Sequence, residues 1–219
     1  MKIIYQGYSS PRKKMKPEVD TVAKWDTWNG TKFKKDLENG KKTSKEIAQN
    51  NHKVGLDYEF SAMYEDDTSD FPFCFVSVVP ENKFIGVEFM DGVGRKYLKY
   101  SFGKNEDKNL LFLEEIWFYE FANEDTDKMK SRTHFVFDEV GNVNYRVYDM
   151  IQGKTLDYES KEPMETSALY EPYPEFGEYE GVIRLERDIP ILKDNVRTYI
   201  YKNGTRYYKD EDDNLIENN

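Results

Sequence analysis

The chain has 219 residues, with 32 Lys+Arg against 42 Asp+Glu, and its formal net charge is −10. Its mean hydropathy is −0.87, but aromatic residues make up 16 %. Aromatic side chains bury a large apolar area each, so this many of them can form a core. The composition therefore argues against a disordered chain. No stretch reaches the roughly 20 apolar residues of a membrane span, there is no signal-peptide pattern, and one cysteine cannot form an intramolecular disulfide; we therefore expect a folded cytoplasmic protein.

Charge is unevenly distributed along the chain. Residues 1–53 contain 13 Lys+Arg and 6 Asp+Glu, whereas residues 54–219 contain 19 and 36. We expect a single domain, 1–219, in which 1–53 is a basic N-terminal segment and 54–219 is an acidic antiparallel β core. The basic segment can dock on the acidic remainder, remain solvated, or bind phosphates; the low overall isoelectric point argues against nucleic acid as a partner.

The basic segment contains two local signals. Asn29-Gly30 is a favoured two-residue turn, and the flanking Trp25, Trp28 and Phe33 predict a β-hairpin around it. Further on, Thr43-Ser44-Lys45-Glu46 matches a capping box, which predicts a short helix to about Asn50.

Strand patterns dominate from residue 55 onward. Apolar residues alternate with polar ones from Leu56 to Tyr64, which predicts a half-buried strand. The run Phe71–Val79 is apolar on both faces and predicts a central strand. Two further strands, 83–90 and 95–102, are joined by a glycine turn at 91–94. The aromatic density of 110–121 favours a strand, although its apolar spacing also fits a helix.

The remaining segments extend the same pattern. Strands are predicted at 133–138 and 143–149 around a hairpin turn, at 155–159, and at 196–201 and 205–209 around Asn203-Gly204. A second short helix is predicted within 179–187. The expected fold is mainly β (β-rich α+β): an antiparallel β meander sheet with one or two short helices.

Little in the chain points to catalysis. With two histidines, one cysteine and no nucleotide-binding or metalloprotease motif, we expect no catalytic residue, metal or cofactor and no enzymatic activity. Cys74 and His134 are interpreted as structural, and the acidic run 210–214 as a turn. The exception is Glu114-Glu115 among aromatic residues, where one carboxylate could act as a general acid of a hydrolase; alternatively, the inward one pairs with Arg or Lys.

An acidic, tyrosine-rich segment is the candidate partner-binding site. Tyrosines supply contact area with a polar tip, carboxylates attract a basic protein, and the interleaved prolines stiffen the backbone. The alternative is a solvated loop whose aromatic rings pack back onto the sheet. The candidate binding residues are Tyr170, Glu171, Tyr173, Glu175, Glu178, Tyr179 and Glu180.

With its acidic loop at 170–180 and turns such as 138–142, this β-rich chain resembles the immunity proteins of bacterial contact-dependent and polymorphic toxin systems. The resemblance implies an antitoxin that binds a cognate toxin domain and either blocks its active site or holds it inactive. The acidic, aromatic surface favours the first of these, the occlusion of a basic active-site groove. Alternative functions are a carboxylate-dependent hydrolase and a phage or structural accessory protein. Neither nucleic acid nor membrane is expected as a partner, and the sequence leaves the oligomeric state open.

Overall fold

A computed structural model describes residues 1–65, 69–105, 110–123, 127–187 and 189, and the backbone of 196–202, 205–209 and 215–217. Two compact units divide the chain: unit 1 consists of Met1–Phe112 and Glu171–Leu185, and unit 2 of Leu113–Tyr170 and Glu186–Asn219. Within the described ranges, no helix has the length and apolar character needed to cross a membrane.

Unit 1 contains three α-helices and an antiparallel sheet. Its elements are β1 (Lys2–Ile4), β2 (Tyr8–Ser9), β3 (Lys14–Met15), α1 (Glu18–Asn29), α2 (Lys34–Glu38), α3 (Ser44–Val54), β4 (Tyr58–Met63), β5 (Cys74–Val79), β6 (Phe84–Met90) and β7 (Lys96–Asn105). Strands β1, β4, β5, β6 and β7 are hydrogen-bonded neighbours in that order, while β2 pairs with β3. The predicted glycine turn between β6 and β7 is confirmed, with Gly94 at φ 78°.

The hairpin predicted at Asn29-Gly30 is wrong, because these residues end helix α1. Gly30 adopts a left-handed conformation (φ 66°) and its N–H bonds to the Asp26 carbonyl. Asn-Gly supplies a positive φ, which serves a helix C-terminus as well as a hairpin turn. Asp26 also accepts bonds from the Phe33 and Lys34 amides at 2.8 Å each, and so holds the start of α2.

Helix α3 confirms the predicted capping box. The Glu46 amide donates to Thr43 Oγ1 at 3.2 Å, and the Thr43 amide donates to Glu46 Oε2 at 2.7 Å. Helices α1 and α3 bury Val22, Trp25 and Ile47 completely. The basic segment therefore contributes to the core of unit 1 rather than lying on its surface.

Strand β4 is buried on both faces, so the predicted polar, solvent-facing side is wrong. Glu59, on the side expected to be exposed, is only 1 % accessible. Its carboxylate forms an ion pair with Lys24 of α1. A helix thus covers the face that the alternation assigned to solvent, and a buried ion pair compensates for the buried charge.

The helix predicted within 179–187 is also absent. Residues 181–183 form a turn, with one helix-like bond from the Ile183 amide to the Tyr179 carbonyl at 3.0 Å. The apolar spacing reflects burial instead, since Tyr179, Val182 and Ile183 are at most 5 % exposed.

Unit 2 is built on strands. The elements that follow β7 are β8 (Leu110–Phe121), β9 (Met129–Phe137), β10 (Val143–Asp149), β11 (Lys154–Ser160), a 3₁₀ turn (Ser167–Leu169), β12 (Tyr170–Pro172), β13 (Val196–Lys202), β14 (Thr205–Lys209) and β15 (Leu215–Glu217). Strands β4 to β11 are sequential neighbours in an antiparallel meander, which confirms the predicted fold class and the assignment of 110–121 as a strand.

Strands β8 to β11 carry aromatic and polar side chains on both faces. In the described part of unit 2 no α-helix packs on them. Most side chains of β9 and β10 are therefore half-buried or exposed. The pairing of β13 with β14 matches the predicted hairpin, whereas its turn residues 203–204 and the acidic run 210–214 lie outside the described residues.

Candidate functional site

The acidic loop, residues 170–180, has a fixed backbone course. Pro172 and Pro174 restrict it, Gly177 adopts φ 95°, and the Glu178 amide bonds to the Glu175 carbonyl at 3.0 Å. These features limit the conformational freedom of the loop, so less entropy is lost when a partner binds it.

Three aromatic rings of the loop pack against residues of unit 1. Tyr179 stacks on Phe60 with the ring centroids 4.1 Å apart. Phe176 stacks on Tyr5 with the centroids 5.1 Å apart, and Tyr173 stacks on His52 at 5.9 Å with the planes 25° apart. The loop is thus anchored by its own aromatic side chains, as the alternative interpretation of this segment anticipated.

A cluster of hydroxyl groups lies beneath the loop. The Tyr58 and Tyr179 hydroxyls share a hydrogen bond of 3.1 Å, and His52 Nδ1 lies 2.8 Å from the Tyr58 hydroxyl. Burial raises the pKa of Tyr173 to about 12 and that of Tyr58 well above its ordinary value. Burial thus keeps these phenols protonated even well above neutral pH, and they serve as hydrogen-bonding groups.

His52 contacts this cluster of hydroxyl groups, although no sequence pattern indicated that it would. Burial lowers the pKa of its imidazole, and the Glu175 carboxylate acts in the opposite direction. His52 lies in the last turn of helix α3, far from the loop in sequence. Its contact with the loop is therefore visible only in the three-dimensional structure.

The carboxylates of the loop divide into one internal group and three external groups. Glu171 is 7 % exposed and accepts a hydrogen bond from Arg184 Nη2 at 2.6 Å. By contrast, Glu175, Glu178 and Glu180 are exposed. Of the seven predicted binding residues, Tyr179 and Glu171 are thus buried, Tyr170 and Tyr173 are half-buried, and three glutamates face solvent.

Glu114 and Glu115, the candidate acids of the alternative hydrolase, point to opposite faces of β8. Glu115 Oε2 lies 3.5 Å from His134 Nε2. Burial raises the pKa of Glu114, and the negative charges of Glu115 and Glu139 raise it further. The partner of Glu115 is therefore a histidine rather than the Arg or Lys expected from the sequence.

Cys74 is completely buried, and burial raises the pKa of its thiol. This confirms its interpretation as a small apolar residue. Within the described ranges, no three His, Cys, Asp or Glu side chains are grouped as metal ligands.

Two open cavities lie outside the acidic loop. One, of about 430 Å³, is in unit 1, and its lining includes four aromatic side chains: Tyr64, Phe71, Phe73 and Tyr97. The other, of about 280 Å³, lies on the unit 2 sheet beside Arg146 and Asp157. Each of the two is lined by a single carboxylate, Asp91 in the first and Asp157 in the second.

Comparison with known proteins found no match among family models, curated proteins or solved structures. The function is therefore inferred from the residues and their geometry.

Proposed function

We propose that the chain is an immunity (antitoxin) protein. It binds a cognate toxin domain and occludes the basic active-site groove of that domain with the acidic loop. The observation that carries this proposal is the exposure of Glu175, Glu178 and Glu180 on a loop that aromatic stacking holds in place.

The aromatic rings and the carboxylates of the loop have different roles, and both roles support this function. The packed rings restrict the backbone, so the exposed carboxylates are presented in a fixed arrangement. Complementary charges accelerate encounter with a basic surface and select against acidic partners. The net charge of −10 reinforces the same preference at long range.

A carboxylate-dependent hydrolase receives less support from the geometry. Such an enzyme requires two carboxyl groups roughly 5–10 Å apart across one cleft. Neither of the two cavities described above brings two carboxylates together.

The proposal is tested by co-expressing the chain with a candidate toxin domain from the neighbouring genes and measuring growth. We expect the wild-type chain to rescue growth and the triple variant Glu175→Gln, Glu178→Gln, Glu180→Gln to bind the purified toxin domain at least about tenfold more weakly, with a smaller salt dependence. A matched control removes three exposed charges elsewhere: Glu65→Gln, Glu81→Gln, Glu139→Gln.

Two results would contradict the proposal in different ways. If the wild-type chain neither binds nor rescues, the antitoxin function is wrong. If it rescues and the triple variant binds as the control does, the antitoxin function stands but the acidic loop is not the contact.

A further inference from the structure

One face of the unit 2 sheet groups rings with positive charges. Strand register places Trp117 opposite His134, His134 opposite Arg146, and Arg132 opposite Tyr148. We propose that this set, the cationic aromatic face, binds an acidic peptide segment of a protein partner. It is distinct from the acidic loop, which belongs almost entirely to unit 1.

The rings form a continuous surface across three strands. Trp117 and His134 stack with the centroids 3.9 Å apart and the planes within 9°. Tyr148 lies 6.3 Å from Trp117 and within 15° of parallel. Trp, Tyr and Arg are the residue types that dominate the binding energy of protein interfaces.

Arg132 is the charged group that points to an acidic partner. Its guanidinium carbon lies 4.4 Å from the Tyr148 ring centroid and 5.5 Å from that of Trp117. Its Nε–H is buried and has no acceptor within the described ranges. Because that Nε–H has almost no accessible surface, a partner carboxylate would reach the guanidinium through its Nη groups, where it forms a charge-assisted hydrogen bond.

Arg146 provides the contrast within the same face. Both its Nε and Nη2 donate to the Asp157 carboxylate, so its charge is already compensated. For Arg132 no carboxylate lies within ion-pair distance in the part of the chain that the structure describes. Of these two arginines, Arg132 is therefore the one whose charge is available to a partner.

The neighbouring cavity gives space for a second contact. It has a volume of about 280 Å³ and is bordered by His134, Val136 and Asn144. Val136 is 39 % exposed, so an apolar side chain of the partner could bury it. The face thus suits a peptide in which a carboxylate lies next to an apolar or aromatic residue.

The carboxylates on this face favour a peptide over a nucleic acid. Glu115, 3.5 Å from His134, and Asp157, paired with Arg146, would both lie close to a phosphate backbone. A single peptide carboxylate on Arg132 avoids that repulsion, whereas a polyanion in an extended groove does not.

The experiment uses the full chain and NMR detection of the Trp117 indole N–H and the Arg132 Nε–H. The probe is a blocked five-residue peptide with a single central glutamate between phenylalanines, and its control carries glutamine instead of glutamate. We expect saturable shifts with the glutamate peptide, at least about tenfold weaker binding of the control peptide, and a similar loss for Arg132→Gln. Lys161→Gln, an exposed charge outside strands β8–β11 of the same unit, should leave binding within about twofold.

Folding of each variant is checked by its thermal melt. If Arg132→Gln does not fold, Arg132→Lys keeps the charge and stem but loses the fork, and we expect about threefold or greater weakening. Equal binding of the two peptides, or binding unaffected by substitution at Arg132, would overturn the proposal. It would also be overturned if a thymidine oligonucleotide shifted the same signals and displaced the peptide.

Discussion

Gly141 occupies a position where a side chain has no room. Its φ is 95°, and a Cβ built there would lie 2.2 Å from the Met164 carbonyl oxygen. The Met164 amide donates to the Gly141 carbonyl at 2.8 Å. Because the obstructing atom belongs to the backbone, the segment at 164 would have to move to admit a methyl group.

We therefore expect Gly141→Ala to lower the free energy of unfolding by about 2–4 kcal/mol, from backbone strain plus steric overlap. Gly153→Ala is the matched control: its φ is also positive, at 64°, but nothing lies within 4 Å of the added Cβ. It should cost only about 1 kcal/mol. Urea denaturation measures both, and equal destabilisation would show that the contact with residue 164 contributes nothing.

His52, which contacts the acidic loop, makes the stability of the protein depend on pH. Burial lowers the pKa of its imidazole below the ordinary value of 6.5, so the folded chain favours the neutral ring. The unfolded chain then binds the proton first as the pH falls. The contribution of His52 to stability is therefore complete above about pH 6.5 and is lost as the pH falls below that value.

Two results follow for NMR titration of the His52 ring protons. In the wild-type chain the pKa of His52 should lie below 6.5, and in Glu175→Gln it should fall further because a favourable negative charge is removed. Glu178→Gln, another exposed carboxylate of the loop, should change the pKa of His52 less. An unchanged His52 pKa in Glu175→Gln would show that Glu175 does not reach the ring.

At the scale of elements, the sequence correctly predicted those helices and strands that depend on interactions between neighbouring residues. The capping box at Thr43 lies within four residues, and the strands from 71 to 159 follow from alternation and turn chemistry. Helix α1 and the burial of Glu59 depend on tertiary packing between elements. The local patterns therefore gave the wrong predictions there, a hairpin at Asn29-Gly30 and a solvent-facing Glu59. The same limit applies to the acidic loop, where composition identified the carboxylates but not the burial of Tyr179.

The capping box of α3 gives an element-scale prediction. Thr43→Ala removes the acceptor of the Glu46 amide and should lower the free energy of unfolding by about 1 kcal/mol. The control, Thr27→Ala, removes a hydroxyl that bonds only to the Ala23 carbonyl inside α1, and it should change stability by less than about 0.5 kcal/mol. Equal effects in urea denaturation would argue against a capping role for Thr43.

At the scale of the molecule, the strands of the two units differ in burial. In β5 and β6 of unit 1, six apolar side chains are at most 1 % exposed: Cys74, Val76, Val78, Ile85, Val87 and Phe89. In β9 and β10 of unit 2, only Phe137 and Val143 are buried. The change in charge near residue 53 does not coincide with a boundary between the units. Most charged side chains lie on the surface, whereas apolar contacts determine which segments pack into one unit.

This difference predicts unequal local stability. Both pairs of strands form antiparallel ladders, so their backbone hydrogen bonds are alike and burial is the variable. We expect amides of β9 and β10 to exchange hydrogen at least about tenfold faster than those of β5 and β6, because local opening there exposes less apolar surface. Hydrogen exchange with mass spectrometry measures both pairs in one sample. Equal protection would mean that the half-buried sheet of unit 2 opens only together with the core of unit 1, and that burial within each unit does not set its stability.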